Sequence, residues 1–597
     1  MPNKVGRTPE LIFKEFEEDI HTRYSHQLAE KIKEAILLLE AHEHESEKQQ
    51  AIWEWALASL ITRDSPSERK RLKGRFGPLA TREDGSQLPD PAIFTDEALA
   101  YYAERAAKTS NPIHRARYCD FLWEKRRNYN FARSAVDAYL ECLPIYLANG
   151  WYHEVADAIS RSMELALSVN DGKRITKVRE HLLQAMDRLS AIGDHPALRY
   201  CLDLIDTLLV MKKGTTDLDF QKALDVCRKG VSFYASQNGG FMYHLARDFE
   251  ERQALLWQML RNKEETDNAR ARVGELYEKE AELKGAGSNM LAAIFLQEAA
   301  QHYANIGRSD KVEKLKAKVR HRWEAAADGG EFKRIETTVK LPTKQIDEYI
   351  QDIISQGINK ALLIVSLDLN LVPDIERCRK VATEQKQEFP LLGLVPRSTL
   401  RGARRVAFAS TPEEIDEANT LAQYSIDLGL GQIYLGRVFE MMRQDGGFTT
   451  DSLVSYMSSS PFFDEDKLGV IRVGIERYFV ADYVSAVHIL VPQLEDVLRR
   501  IIGKLGISTT SLAPDGLTRE KPLNEVLNTP ELKSLLGDRV WFYFKYVLDH
   551  QLGENLRNDV AHGLITKDRC TRQLTETVLH LFLRLTPYKV RNQTPAT

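Results

Sequence analysis

Along most of this chain apolar residues recur three and four positions apart, and the strict alternation of a half-buried strand is rare. Residues 9–62 read as helices. Ile32, Ile36 and Leu39, then Ala51, Trp53, Ala56, Leu57 and Leu60, fall at helical spacing, with HEHESEKQQ as a polar connection. From Asp64 to Pro91 the pattern stops in a stretch rich in Pro, Gly and charge, which predicts a long loop or linker. Between Thr95 and Ala327 one amphipathic helix follows another. Two of these end alike, on Tyr146–Gly150 (YLANG) and Tyr303–Gly307 (YANIG), each followed closely by the next helix start. Ala292, Phe295, Ala299 and Tyr303 carry the small/aromatic spacing by which antiparallel helix pairs pack. No strict period survives, so the expectation is a degenerate α-solenoid whose concave side offers a surface for a peptide, a protein or a nucleic acid, or which serves only as a packing scaffold.

Asp328-Gly329-Gly330 interrupts the helices. Ile335, Thr337, Val339 and Leu341 then alternate with polar residues up to Pro342, as a short strand would, and Arg405–Ala409 is its expected partner. Two helices, about 344–356 and 373–386, lie between them. A C-terminal domain opens at Thr411-Pro412-Glu413-Glu414, a capping box with Pro at the first helical position. Its helix runs through Ile415, Leu421 and Tyr424, and a second reads QIYLGRVFEMMRQ up to Asp445. Two long helices span 466–505, the second with an apolar stripe from Val484 to Leu505. After a polar loop to Pro522, helices resume at 523–527, 530–536 and 538–552, and Thr571–Leu585 closes the domain. The aromatics from Trp541 to Tyr546 are too wide for one buried stripe; they are mostly core, with part left for a dimer seam or base stacking. The predicted class is mainly α: an N-terminal helical region (1–63), a linker (64–94), helical repeats (95–327), a connecting region with a small two-stranded insertion (328–410) and an all-α bundle (411–590).

A net charge of −4 over 597 residues gives no global pull on nucleic acid, so any RNA binding must be local. The densest basic run is Arg69, Lys70, Arg71, Lys73 and Arg75, readable as solvated loop charge or as an RNA-backbone contact. Arg397, Arg401, Arg404 and Arg405 form a second, at the expected tip of a hairpin. Six scattered cysteines without a CxxC pair argue against zinc ribbons and disulfide frameworks, and Cys227 and Cys378 read as small core residues. With no apolar signal core at the start and no run long enough to span a bilayer, the expected compartment is the reducing cytoplasm. No Walker loop, GxGxxG, GxSxG or HExxH occurs, and no cofactor or metal is expected.

The most informative stretch is Gln551–Thr566 (QLGENLRNDVAHGLIT), where Arg557, Asn558, Asp559 and His562 fall within six positions. Asn558 and His562 share a helical face, whereas Arg557 and His562 diverge by about 140° on a continuous helix. One ligand meets both only at a helix end or with help from a second copy. Gly563 supplies the stop. On the helix before, His488 and Glu495 lie within about 20° of each other, and Arg499 is the local partner of Glu495.

Arg557-Asn558-x-x-x-His562-Gly563 resembles the RNxxxHG signature of a family of uncharacterised domains in the HEPN superfamily. The C-terminal domain of the endoplasmic-reticulum-membrane-associated RNA degradation protein carries the same motif. The resemblance covers roughly the last 180 residues. His488–Arg499 is similar to the second helix of such domains, which often carries an acid followed four positions later by Lys or Arg. The repeats resemble degenerate tetratricopeptide-like arrays. What the HEPN resemblance implies is an all-α homodimer that cleaves RNA without metal, in antiviral or stress defence. RNA carries its own nucleophile, the 2′-hydroxyl. A histidine with an ordinary pKa of ~6.5 suits the proton transfer, and a planar guanidinium suits the phosphate. Under this reading His562, Arg557, Asn558 and Glu495 are catalytic, and Arg499, Asp559 and His488 bind substrate. A non-catalytic RNA- or nucleotide-binding module and a pure helical-repeat scaffold are the competing classes.

Overall fold

Short polar residues start the helices of the first unit wherever they precede apolar periodicity. Thr95 accepts from the Ala98 amide, Asn111 from Ile113 ahead of a Pro112 start, and Asp194 from Ala197. In the computed structural model the described residues are 8–589, apart from 23–24, 41–44, 63–73, 83, 212–213, 333–342, 402–403 and 513–515. Helices make up 75% of the structure, and the β structure among the described residues is four two-stranded sheets. The mainly α, helical-repeat expectation is met. The chain divides into two units, 1–331 and 332–597.

In the first unit the helix Tyr152–Ser168 packs on Gly172–Ile192 and also on His195–Val210, which in turn packs on Tyr243–Met259. On the other side Tyr129–Ala148 touches Gly172–Ile192, which touches Asp217–Tyr234. Alternate helices therefore stack into two layers, the arrangement of a solenoid. Both predicted helix ends close in the same way. The Trp151 amide donates to the Tyr146 carbonyl and Arg308 to Tyr303, with Gly150 and Gly307 left-handed between them. The same closure recurs after Ser168 and Met259, where Asn170 (φ 50°) and Arg261 (φ 57°) hold the left-handed position. Only two copies were visible in the sequence because glycine marks only some of them.

The basic run before the repeats needs a correction. Residues 69–73 lie outside the described residues, but Arg75 is buried, neither solvated nor free for RNA. Its guanidinium is 2.6 Å from Asp157 and 3.6 Å from Asp120. Asp120 is fully buried and takes a two-pronged bond from Arg161 (3.0 and 2.6 Å) and the Tyr139 hydroxyl (2.8 Å). Burial alone would raise its carboxyl; Arg161 and Arg75 outweigh it and hold the group below the usual carboxylate range. The predicted loop is thus fastened into the array by a charge cluster, and short strands Ile61–Thr62 with Phe76–Gly77, and Ala80–Thr81 with Gln87–Leu88, shape its described part.

In the second unit residues 350–378 share one hydrophobic core with 421–585, so this part of the expected connecting region belongs to the bundle. The helix Ile358–Leu367 was not foreseen. Its continuous apolar run, ALLIVSL, hides the helical period because the segment packs through Leu362, Val365 and Ser366 at once. The two helices expected after Thr411 are one, Pro412–Gln444. Gly431 does not break it; a Cβ there would stand 3.2 Å from the Leu371 carbonyl oxygen, so the glycine permits close approach. The strand Arg404–Ala409 pairs with Arg397–Arg401; the other expected strand, 335–341, lies outside the described residues. A hairpin of Thr510–Leu512 and Thr518–Glu520 occupies the expected polar loop. Of the aromatic cluster, Tyr543, Phe544 and Tyr546 are buried, and Trp541 and Phe542 pack against the core from partly exposed positions. The Trp541 indole donates to the Leu527 carbonyl at 2.7 Å. The cluster is wide because its helix, Asp538–Leu548, is enclosed on several sides.

Candidate functional site

The motif segment is built around two backbone constraints. Gly553 sits directly against the Tyr546 carbonyl, where any Cβ would collide with backbone. Gly553→Ala is therefore expected to lower the melting temperature by several degrees, since neither backbone strand can give way cheaply; a thermal melt checks this. Leu556–Ala561 then forms a helix of six residues, anchored by fully buried Leu556. His562 is its cap and Gly563 (φ 65°) its stop, with Gly563 N–H donating to Val560 and Leu564 N–H to Asp559. The predicted stop holds, and the paired bonds are those of a Schellman closure.

Arg557 and Glu495 meet across two helices. Nε donates to Oε2 at 2.8 Å and Nη2 to Oε1 at 3.4 Å, a fork-on-carboxylate geometry. The remaining edge of the guanidinium faces Asn558, with Nη1 to Oδ1 at 3.3 Å. The side-chain amides of Asn558 and Asn555 meet at 2.7 Å. Arg557 and Asn558 form one wall of a cleft of about 360 Å³ whose other lining residues include Asn524, Asp549 and Gln551. Arg557 retains 27% of its side-chain exposure while Glu495 keeps only 12%, so Glu495 supports from behind and Arg557 meets solvent.

The other predicted residues separate. Arg499 also reaches Glu495 (2.7 Å), but it is tied as well to the Lys521 carbonyl (3.1 Å) and Glu520 (3.3 Å), so it holds the 510–520 hairpin in place. Asp559 does not face a ligand: it is 2% exposed and ion-paired to Arg401 and Arg569. Those arginines also donate to the Glu554 carbonyl, at 3.2 and 3.0 Å, and Arg401 to that of Gly553. The carboxylate thus locks the turn before the motif. His488 is exposed and bonded to its own helix at the Val484 carbonyl (2.8 Å), apart from Glu495. His562 is exposed at the far end of the six-residue helix, and its ring accepts or donates no hydrogen bond among the described residues. It does not line the cleft that holds Arg557 and Asn558.

Arg401, Arg569, Asn524, Asp549 and Gln551 were missed as contributors. Arg401 stood out only as one basic residue of a hairpin tip, and no spacing connects position 401 with 559. Asn524 sits in the short helix Leu523–Leu527, whereas Asp549 and Gln551 leave the expected helix 538–552, which ends at Leu548, so helical periodicity does not bring them together. Among the described residues no group of three or more His, Cys, Asp or Glu could hold a metal ion. All six cysteines are free and buried.

Comparison with known proteins addresses the other end of the chain. Residues 12–178 match a family described as a domain of unknown function (DUF7380). No curated protein matches. The match covers the first helices and the start of the repeats, and leaves the cleft and its motif to be judged on their chemistry. No described helix is long and apolar enough to cross a membrane.

Proposed function

We propose that the second unit is a metal-independent endoribonuclease of the HEPN kind, cutting RNA by attack of its own 2′-hydroxyl. The observation that supports the reading is an arginine, Arg557, held by a buried-side carboxylate at a cleft mouth, with an unengaged imidazole, His562, one short helix away. In the reaction His562 takes the 2′-hydroxyl proton as the 2′-oxygen bonds to phosphorus. Arg557 binds the non-bridging phosphate oxygens, and Asn558 orients them. The bond to the 5′-oxygen breaks as that oxygen gains a proton, leaving a 2′,3′-cyclic phosphate and a 5′-hydroxyl. Because His562 lies outside the cleft of Arg557, the complete site uses the histidine of a second copy, and the working form is a homodimer. The setting is defence or stress response in the cytoplasm, with the helical repeats as sensor.

Arg557→Lys is expected to lose roughly 10²-fold in cleavage, since an ammonium cannot sit on Glu495 and phosphate with the same planar fork. The test is total RNA incubated with the purified chain in EDTA, read on a denaturing gel with end-group analysis. Chelator-resistant cleavage leaving cyclic phosphate ends supports the reading. Absence of cleavage on every RNA tried rejects it.

The separation of His562 from the cleft favours one second reading, a module that binds RNA or nucleotides without cutting. In that case a gel shift survives His562→Ala and is lost in Arg557→Ala.

A further inference from the structure

A concavity of about 650 Å³ in the first unit runs along the helix Tyr152–Ser168 and is walled on its far side by His195–Val210. Its shape follows from sequence. Positions 153, 156, 160, 163 and 167 form one helical stripe, and the small side chains of Ala156 and Ser160 keep the space between the helices open. Ser160 and Thr207 bond across it at 2.6 Å and fix its width. The floor is apolar at Met163 and Leu167, and Val210, 69% exposed, extends it at the open end.

The walls carry one sign of charge. Asp157 and Glu164 stand on one side and Asp203 and Asp206 on the other, and no lysine or arginine lines the groove. The chain already shows how these acids take a guanidinium. Arg252 grips both oxygens of Asp206 from outside (3.0 and 2.8 Å), and Arg75 reaches Asp157 at 2.6 Å. Arg161 bonds Glu164 at 2.8 Å, yet Glu164 stays 47% exposed. Asp203 is served least, by a single 3.4 Å contact from Arg199. Burial and the neighbouring Asp206 push its carboxyl up, as expected for an acid lacking sufficient positive charge.

We propose that this groove docks a basic, extended segment of a partner protein, with apolar side chains on the Met163–Leu167 floor and an arginine or lysine on Asp203 and Glu164. Charge complementarity selects this occupant. Four lining carboxylates, with no lysine or arginine among the lining residues, disfavour a phosphate backbone, and the apolar floor is wasted on a free cation. The docking is independent of the chemistry in the second unit.

The test uses the full chain and a fluorescein-labelled nonapeptide, RSLSRSLSR, with ESLSESLSE as its charge-reversed control. Fluorescence anisotropy is expected to show saturable binding of the first peptide that weakens with added salt, and none of the second. Asp203→Lys is expected to weaken it at least about tenfold, and Asp203→Asn by less. Both variants change a side chain that is 42% exposed, and their melting curves should match that of the wild type. Equal binding of both peptides, or unchanged affinity in Asp203→Lys, overturns the proposal. Displacement of the peptide by an oligouridylate also overturns it, in favour of nucleic acid as occupant.

Discussion

His562→Ala is expected to lower RNA cleavage by roughly 10²–10⁴-fold, the range for loss of one acid–base group, while leaving the fold intact. The structural reason for the second half is specific. The imidazole is exposed, caps a six-residue helix through its backbone, and makes no side-chain hydrogen bond among the described residues. Its removal opens no cavity. The closure of the helix depends on Gly563 and on backbone bonds to Asp559 and Val560, which alanine preserves. The measurement is single-turnover cleavage in EDTA beside a thermal melt. Unchanged cleavage by His562→Ala would remove the histidine from the chemistry. Lost cleavage with a lowered melt would mean that the variant acts through folding.

The largest expected stability change lies in the other unit. Asp120→Asn should cost about 3–5 kcal/mol, because it leaves Arg161 and Arg75, 3% and 1% exposed, without their buried counter-charge. The weakened interactions are the fork from Arg161, the hydroxyl of Tyr139 and the longer ion pair with Arg75, whose 2.6 Å bond to Asp157 remains. The expected pH response follows from the depressed carboxyl of Asp120. A group with a folded pKa below its unfolded value stabilises fully above about pH 3.9. That contribution drains away as pH falls through the lower folded value. The wild type should therefore lose stability below about pH 4 more steeply than Asp120→Asn. Denaturant titrations of both proteins between pH 3 and 7 check this; parallel curves would show that the Asp120 carboxyl is not depressed in the folded state. Asp120→Asn combined with Arg161→Met should recover part of the loss, since the pair costs more broken than absent.

The reliance on tertiary context differs between the two ends of the motif. Gly563 as stop, Thr411 and Glu414 as capping box, and the start of the last helix at Thr571 were legible because each depends on residues within one turn. The pairing of Glu495 with Arg557 was legible more weakly. It spans 62 positions, and only the resemblance of both segments to one domain type placed them together. Asp559 illustrates the limit. In sequence it is one more polar residue among four, and its neighbours suggest a ligand. Its burial is decided by Arg401 and Arg569, which arrive from a hairpin and a turn and convert it into a structural anchor. Arg75 makes the same point in reverse: composition marks it as loop charge, and Asp120 and Asp157 draw it into the interior.

What the sequence by itself determined is the local part of this protein: a mainly helical chain, the helix ends marked by glycine or a capping box, and the candidate motif. Those follow from interactions within three or four residues, where apolar spacing, cap side chains and glycine act directly on the backbone. Only the tertiary structure decided which charges are buried and which remain for a ligand. It also decided that 350–378 shares the core of the bundle, that one helix runs unbroken through Gly431, and that the cleft contains Arg557 and Asn558 without His562. The physical reason is that burial and electrostatic pairing depend on groups brought from distant positions, and a charge alone in sequence does not reveal which partner it will meet.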